Sequence, residues 1–344
     1  MLKVKNQRMG LSRACRQPLK FVAAALILQL CYGCRVRESG PRAYVSNERD
    51  GTVTVIDTRS DSVAGTIKVG ARPRGIRMSP DGSRVYVALS FSSQQTPGTI
   101  NKIAAIDTTS GEVIAKYDAG SDPEQFAISR DGTRLYISNE DAGTASVTDV
   151  ATGRVVATLL VGIEPEGVTI SPDGRWVYVT AETSNTVSVI DTGKNEVTAT
   201  FMVGSRPRDT AFSPDSSLAY VTAELGRTVS VVDTKTHSVI KNIELPRGDG
   251  VKPMGVVVSP DGRKIYVANG RANNVSVIDA GDYKVLATIP VGNRVWGLAL
   301  TPDGKKLYAA NGLSNDISVI DTSSNQVTAT VPAGDGPWGI AIKP

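Results

Sequence analysis

Carboxylates, guanidinium groups and tryptophans return at two fixed phases of a repeated segment, and these are the side chains best placed to do chemistry. The residue just before or opening one recurring strand is, in order, Arg74, Glu124, Glu166, Arg208, Met254, Trp296 and Trp338. The fourth residue after a recurring tyrosine is Glu48, Ser90, Glu140, Glu182, Glu224, Gly270 and Gly312. Glutamates crowded near one axis can raise one another's pKa enough for general acid–base work. They can also hold Ca²⁺ through oxygen ligands. Tryptophans beside arginines can clamp a planar or apolar group while a guanidinium holds a carboxylate. The plainer readings are that neighbouring repeats exchange surface ion pairs, each worth about 0–1 kcal/mol, and that the tryptophans plug the centre as core.

Other catalytic equipment is sparse. His237 is the sole histidine, and Lys235-Thr236-His237-Ser238 reads as a solvated turn. Cys15, Cys31 and Cys34 all precede the repeats. The repeats therefore hold no Ser-His-Asp or Cys-His arrangement and no histidine/cysteine zinc or haem site. No glycine-rich phosphate loop is present, because the glycines sit in turns. No cofactor, metal or catalytic residue is assigned. The net charge of +4 belongs to the leader. Residues 1–33 hold six of the 38 basic residues and no acid, leaving 32 against 34, a net of −2. Nucleic acid is not an expected partner.

The elements that must position these groups are strands. In VGNRVWGLALTPDGKKLYAANGLSNDISVIDT, Trp296–Leu300 and Leu307–Asn311 flank Thr301-Pro302-Asp303-Gly304, and Ile317–Asp321 alternates at strand period. Proline at the second turn position presets φ and glycine at the fourth accepts positive φ, so TPDG joins a hairpin. Tyrosines at 44, 86, 136, 178, 220, 266 and 308 and aspartates at 57, 107, 149, 191, 233, 279 and 321 phase seven copies at a basic period of 42 residues. One insertion falls near Ser90–Gln95 and another near Leu245–Lys252. Seven four-strand units mean an all-β, seven-bladed β-propeller over residues 42–344. The chain enters at Ala43–Asn47, a second strand without a first, and stops at Gly339-Ile340-Ala341-Ile342, a first without a second. The ends must complete one blade between them, which removes the open sheet edges.

Strand direction then sorts the loops. The loops entering each first strand and leaving each second strand share one face, at the channel mouth. The other face repeats SPDG-type turns, which turn chemistry explains in full. Blades three to five give the mouth Glu124, Glu140, Glu166, Glu182, Arg208 and Glu224; blades six, seven and one give Met254, Trp296 and Trp338. With Arg74 from blade two, the candidate binding set is Arg74, Glu124, Glu140, Glu166, Glu182, Arg208, Glu224, Trp296 and Trp338.

Residues 1–33 read as a secretory signal, with six basic residues followed by the apolar run Phe21–Leu30. Residues 34–41 form a tether. Cys31-Tyr32-Gly33-Cys34 resembles a bacterial lipobox, which makes Cys34 a lipidation candidate and implies a periplasmic or otherwise extracytoplasmic propeller, lipid-anchored if Cys34 is acylated.

Tyr-Val-Ser-Asn, Tyr-Ile-Ser-Asn and Tyr-Val-Ala-Asn at the second strands, with VSVIDT at the third, resemble the YVTN-type seven-bladed propellers. GARPRGI, SDPEQFAIS, LYISNED, GIEPEGV, GSRPRD and RVWGLALTPD resemble, more narrowly, periplasmic propellers associated with PQQ-dependent alcohol catabolism. That resemblance implies export and a link to quinoprotein oxidation; with no catalytic arrangement in the repeats, the reading is a non-enzymatic binding or scaffold protein accessory to that oxidation. Its mouth would take a protein partner or small ligand, such as part of a quinoprotein dehydrogenase system. The alternatives are a carboxylate-dependent propeller enzyme of lactonase or lyase type, whose expected histidine is missing, and a surface-adhesion module.

Overall fold

Short side chains drive the chain reversals. Ser79 Oγ and the Ser83 N–H both donate to the Asp81 carboxylate, at 2.6 and 3.0 Å, while Gly82 takes φ 68°. These bonds to the ionised form hold Asp81 down at about 2, and the Ser213–Asp215 and Thr301–Asp303 turns repeat the arrangement. The SPDG-type turns are thereby accounted for as structure.

The computed structural model describes residues 40–90, 101–246, 248 and 250–343; residues Ser39–Pro344 form one compact unit. The leader, Cys34 and most of the insertion after Ser90 lie outside the described residues. Twenty-eight strands form seven antiparallel four-stranded sheets. Six sheets use four consecutive strands. The remaining one, blade one, takes its innermost strand from Pro337–Ile342 and the other three from Arg42–Asn47, Thr52–Asp57 and Ser62–Lys68. Tyr44 lies opposite Ala341 and Val45 opposite Ile340, so the two ends of the unit close the ring as the repeat phasing predicts.

The repeated residues explain how the blades adhere. All seven second-strand tyrosines are buried to 2% exposure or less, wedged between blades among Val and Ile. The asparagine three residues after the tyrosine ties strand two to strand three: Asn47 Nδ2 donates to Thr52 and Thr54, and Asn311 Nδ2 to Asp316 and Ser318. The amide N–H groups are thus satisfied within the blade, while the side-chain oxygens of Asn47 and Asn311 are buried without a partner.

His237 is not the solvated turn residue expected from its neighbours. It adopts φ 51°, accepts or donates at 2.7 Å between Nδ1 and the Tyr178 hydroxyl, and packs edge-on against Trp176 at 4.7 Å. Burial lowers its pKa and Arg175 lowers it further. The corresponding turn position in blade four is Asn195, which receives Tyr136, and in blade one Asp61, which receives Tyr308. His237 is therefore an inter-blade fastening, on the face opposite the mouth.

Candidate functional site

Two sets of hydrogen bonds fix the mouth. In every blade the N–H of the fourth residue after the tyrosine donates to the carbonyl of the residue two before the first-strand position. Glu140 is so bound to Asp122 (3.2 Å), Glu182 to Glu164 (2.9 Å), Glu224 to Arg206 (2.8 Å) and Gly312 to Arg294 (2.9 Å). Five of the accepting residues, Arg72, Asp122, Glu164, Arg206 and Arg294, hold positive φ between 42° and 57° without being glycine. Such backbone persists where surrounding structure over-determines it, and it gathers at functional sites. Between blades, hydroxyls of strand two donate to the next blade's mouth carbonyl: Ser46 to Arg74, Ser138 to Glu166, Thr180 to Arg208 and Thr222 to Met254.

All nine sequence-assigned residues border one cavity of about 300 Å³ on the channel axis. Four cations join them that the two aligned phases did not supply: Arg206, Lys252, Arg271 and Arg294. Arg206, Lys252 and Arg294 belong to a third phase, two residues before the first-strand position; aligning it would have revealed them. Arg271 comes from the blade-six loop and has no repeat signal. With them the lining holds six cations and five carboxylates, so the acidic appearance of the aligned residues does not survive assembly.

The ion pairs are more than surface exchanges. Arg74 contacts Glu48 at 2.9 Å, touches Glu124 and stands 3.8 Å from Glu140. Arg208 touches Glu182 and lies 3.4 Å from Glu166 and 3.8 Å from Glu224. Lys252 reaches Glu224 at 3.1 Å. Glu124, Glu182 and Arg208 are buried. Removing one member of such a group leaves an uncompensated buried charge, so the expectation of about 0–1 kcal/mol for exposed pairs does not apply. Burial by itself would raise Glu224, but Arg208, Lys252 and Arg206 outweigh it and pull its pKa down. Carboxylate oxygens of Asp122, Glu124 and Glu140 approach within 4.8 Å of one another, and Arg72 and Arg74 supply the positive charge beside them.

Three mouth groups lack a close ionic partner among the described residues. Glu140 is pushed up to about 7, by burial first and Glu166 second, with Arg74 opposing and Asp122 and Glu164 adding to the rise. Among the described residues, Arg271 and Arg294 make no ion pair. Burial lowers the Arg294 pKa, and repulsion from Arg271 lowers it further. Arg294 lies 4.9 Å over the Trp296 ring, and Trp296 stacks on Trp338 at 6.1 Å and 24°. The tryptophans are thus both wall and platform.

A ring of seven four-stranded blades around a charged axial cavity defines the chain as a seven-bladed β-propeller with a ligand-sized mouth. The family model "Lactonase, 7-bladed beta-propeller" matches residues 62–203 and 190–333, and the chain belongs to that family. No curated protein sequence matches the chain. Among solved structures, a hydrazine synthase of Kuenenia stuttgartiensis is 24% identical with a TM-score of 0.74, covering 83% of this chain and 93% of its own. A putative 6-phosphogluconolactonase of Bacteroides fragilis is 19% identical (TM-score 0.74; 89% and 98% covered). A periplasmic gluconolactonase of Pseudomonas aeruginosa is 21% identical (TM-score 0.73; 88% and 99% covered). At these identities the structures show the fold alone. The family assignment overturns the expected non-enzymatic scaffold accessory to quinoprotein oxidation. The histidine whose absence weighed against a lactonase is no requirement for hydrolysis by carboxylate and guanidinium.

Proposed function

We propose that the protein is a lactone hydrolase working at the channel mouth, with a sugar-acid lactone as its substrate class. The observation that carries the proposal is Glu140: a carboxyl raised to about 7 beside a cavity of about 300 Å³, in a chain of the lactonase family. A general base is most effective when its pKa lies near the working pH. The names of the Bacteroides and Pseudomonas neighbours support the substrate class.

Hydrolysis needs only water. Glu140 as carboxylate takes a proton from water while the hydroxide oxygen bonds to the lactone carbonyl carbon. Negative charge then develops on the former carbonyl oxygen, and the guanidinium groups of Arg271 and Arg294, neither held in an ion pair among the described residues, supply positive charge. Donors already aimed at developing charge in a water-poor site contribute the largest share of such catalysis. The ring C–O bond breaks, the ring oxygen recovers the proton from Glu140, and the new carboxylic acid releases its own proton to solvent, leaving a hydroxy carboxylate that faces the same arginines. The Trp296–Trp338 pair offers the flat, apolar surface against which a sugar ring stacks.

The leader reading supports action outside the cytoplasm, and the second-strand wording supports a YVTN-type branch of the family. The test is direct: purified protein mixed with glucono-δ-lactone, with acid release followed by pH-stat against spontaneous opening. Catalysed release that vanishes in Glu140→Gln supports the reading. A rate equal to the uncatalysed one with every sugar lactone offered removes it.

A further inference from the structure

Beneath the tryptophan pair the channel narrows to a waist of about 30 Å³, bordered by Glu166, Arg208 and the two tryptophans of the mouth and by Gln125 and Asp209 of the chamber below. That is room for about one water. Below it lies a second chamber of about 340 Å³ whose rim reaches Pro172, in the turn on the face opposite the mouth. Its size falls at the small end of the roughly 300–1,000 Å³ range of small-molecule sites.

The ring sequence marks this chamber as built. The residue following each first-strand mouth position is Gly75, Gln125, Gly167, Asp209, Gly255, Gly297 and Gly339. Glycine suits this row because adjacent blades almost touch: a Cβ on Gly255 or Gly297 would sit 2.6 Å from the next blade's carbonyl oxygen, that of Trp296 or Trp338. Two blades nonetheless carry a long polar side chain there. Two residues further along the strand the row is Arg77, Ala127, Thr169, Ala211, Val257, Ala299 and Ala341. Arg77 is its single charge. Arg77, Gln125 and Asp209 thus enter a chamber whose other lining is mostly apolar, with Thr169 and Thr210 its remaining polar side chains.

Arg77 and Asp209 stand on blades two and five and feel each other's charge without forming an ion pair. Arg77 donates to Gln125 Oε1 at 2.8 Å and to the Ile76 carbonyl at 3.0 Å. Asp209 accepts from the N–H groups of Thr210 at 2.9 Å and Val256 at 3.3 Å. Each keeps unused hydrogen-bonding capacity, five donors on a guanidinium and roughly four acceptor sites on a carboxylate being the full complement. Burial pushes the Asp209 carboxyl up and the Arg77 guanidinium down, and each resists the shift in the other. Below them the wall is apolar: Ile170, Phe212, Val257, Leu298 and Ile340.

We propose that this lower chamber is a second ligand site, distinct from the mouth, which binds a small zwitterion with an apolar side chain, chemically an apolar α-amino acid. The carboxylate pairs with Arg77 and Gln125 aligns that guanidinium. The ammonium pairs with Asp209, and the side chain lies along the aliphatic wall toward Pro172. A zwitterion is the ligand that satisfies two opposite, unjoined charges at once and leaves neither buried alone. The site does not depend on the lactonase reading.

Isothermal titration of the full chain with L-leucine and L-phenylalanine tests the assignment, with leucinamide (no carboxylate) and isocaproate (no ammonium) as partial probes. One-to-one binding with a dissociation constant below about 1 mM is expected for at least one amino acid. Binding at least tenfold weaker is expected for both partial probes and for Arg77→Gln and Asp209→Asn. Ala211→Leu fills the chamber from its neutral wall and should abolish binding even if a charge variant fails to fold. Glu140→Gln should bind as the parent does, separating this site from the mouth. No binding by either amino acid, retained affinity in the Arg77 and Ala211 variants, or loss in Glu140→Gln would each overturn the proposal.

Discussion

Around the channel mouth, blades two to five and blades six, seven and one present the same pair of loops with different contents. In the first arc every arginine has a carboxylate and nearly every carboxylate an arginine: Arg74 serves Glu48 and Glu124, and Arg208 serves Glu166, Glu182 and Glu224. In the second arc Arg294 rests on Trp296 and Arg271 stands near it, and among the described residues neither makes an ion pair. The first arc spends its charge on holding blades together and draws in Glu48 of blade one and Lys252 of blade six, while Arg271 and Arg294 of the second arc are left over. Glu140 is the exception within the first arc, with Arg74 no nearer than 3.8 Å. What the contrast teaches is that abundance of charge does not mark a site; charge left without a partner does.

The largest effect should come from breaking the saturated arc. Arg208→Met leaves Glu166 without an ion pair and Glu182 and Glu224 to Arg206 and Lys252 alone, and is expected to cost about 3–5 kcal/mol of unfolding free energy in urea titration. Adding Glu182→Gln should restore part of it. A loss below about 1 kcal/mol would show that this arc is not a fastening.

Next comes the unsatisfied carboxylate. Glu140→Gln is expected to lower kcat/KM for glucono-δ-lactone about 100-fold, near 2.7 kcal/mol, with the fold intact by circular dichroism. Wild-type kcat/KM should rise with pH to a plateau, with its midpoint near the Glu140 value of about 7, and the residual rate of the variant should lack that step. Stability moves the other way. The folded pKa lies above the unfolded one, so the contribution of the neutral carboxyl is full below the ordinary glutamate range and lost as pH rises through about 7. Above that pH the variant should melt at or above the parent temperature. A pH–rate profile without that step in the wild type would remove Glu140 as the base.

The smallest expected change tests the open arc. Arg294→Gln should raise KM roughly tenfold for a lactone bearing an anionic group, and less for a neutral one, with kcat changed little. Equal effects on both substrates would mean that Arg294 contributes shape through Trp296 instead of charge.

Much was legible without coordinates. Tyrosine and aspartate phasing gave seven blades, and the unmatched ends gave the closing blade. Strand direction gave the mouth face and nine of the thirteen residues that border its cavity. Repeat position is a property of the chain itself, since identical local chemistry (SPDG turns, YVxN strands) folds identically in each copy. Only the assembled ring decided which charges meet. It paired Arg208 with the glutamates of blade four, left Arg294 and Arg271 without an ion pair among the described residues, set His237 against Tyr178, and suspended Arg77 and Asp209 across the lower chamber. The physical reason is that a pKa or an ion pair depends on through-space distance and desolvation between blades. Those quantities exist only once the circle is shut.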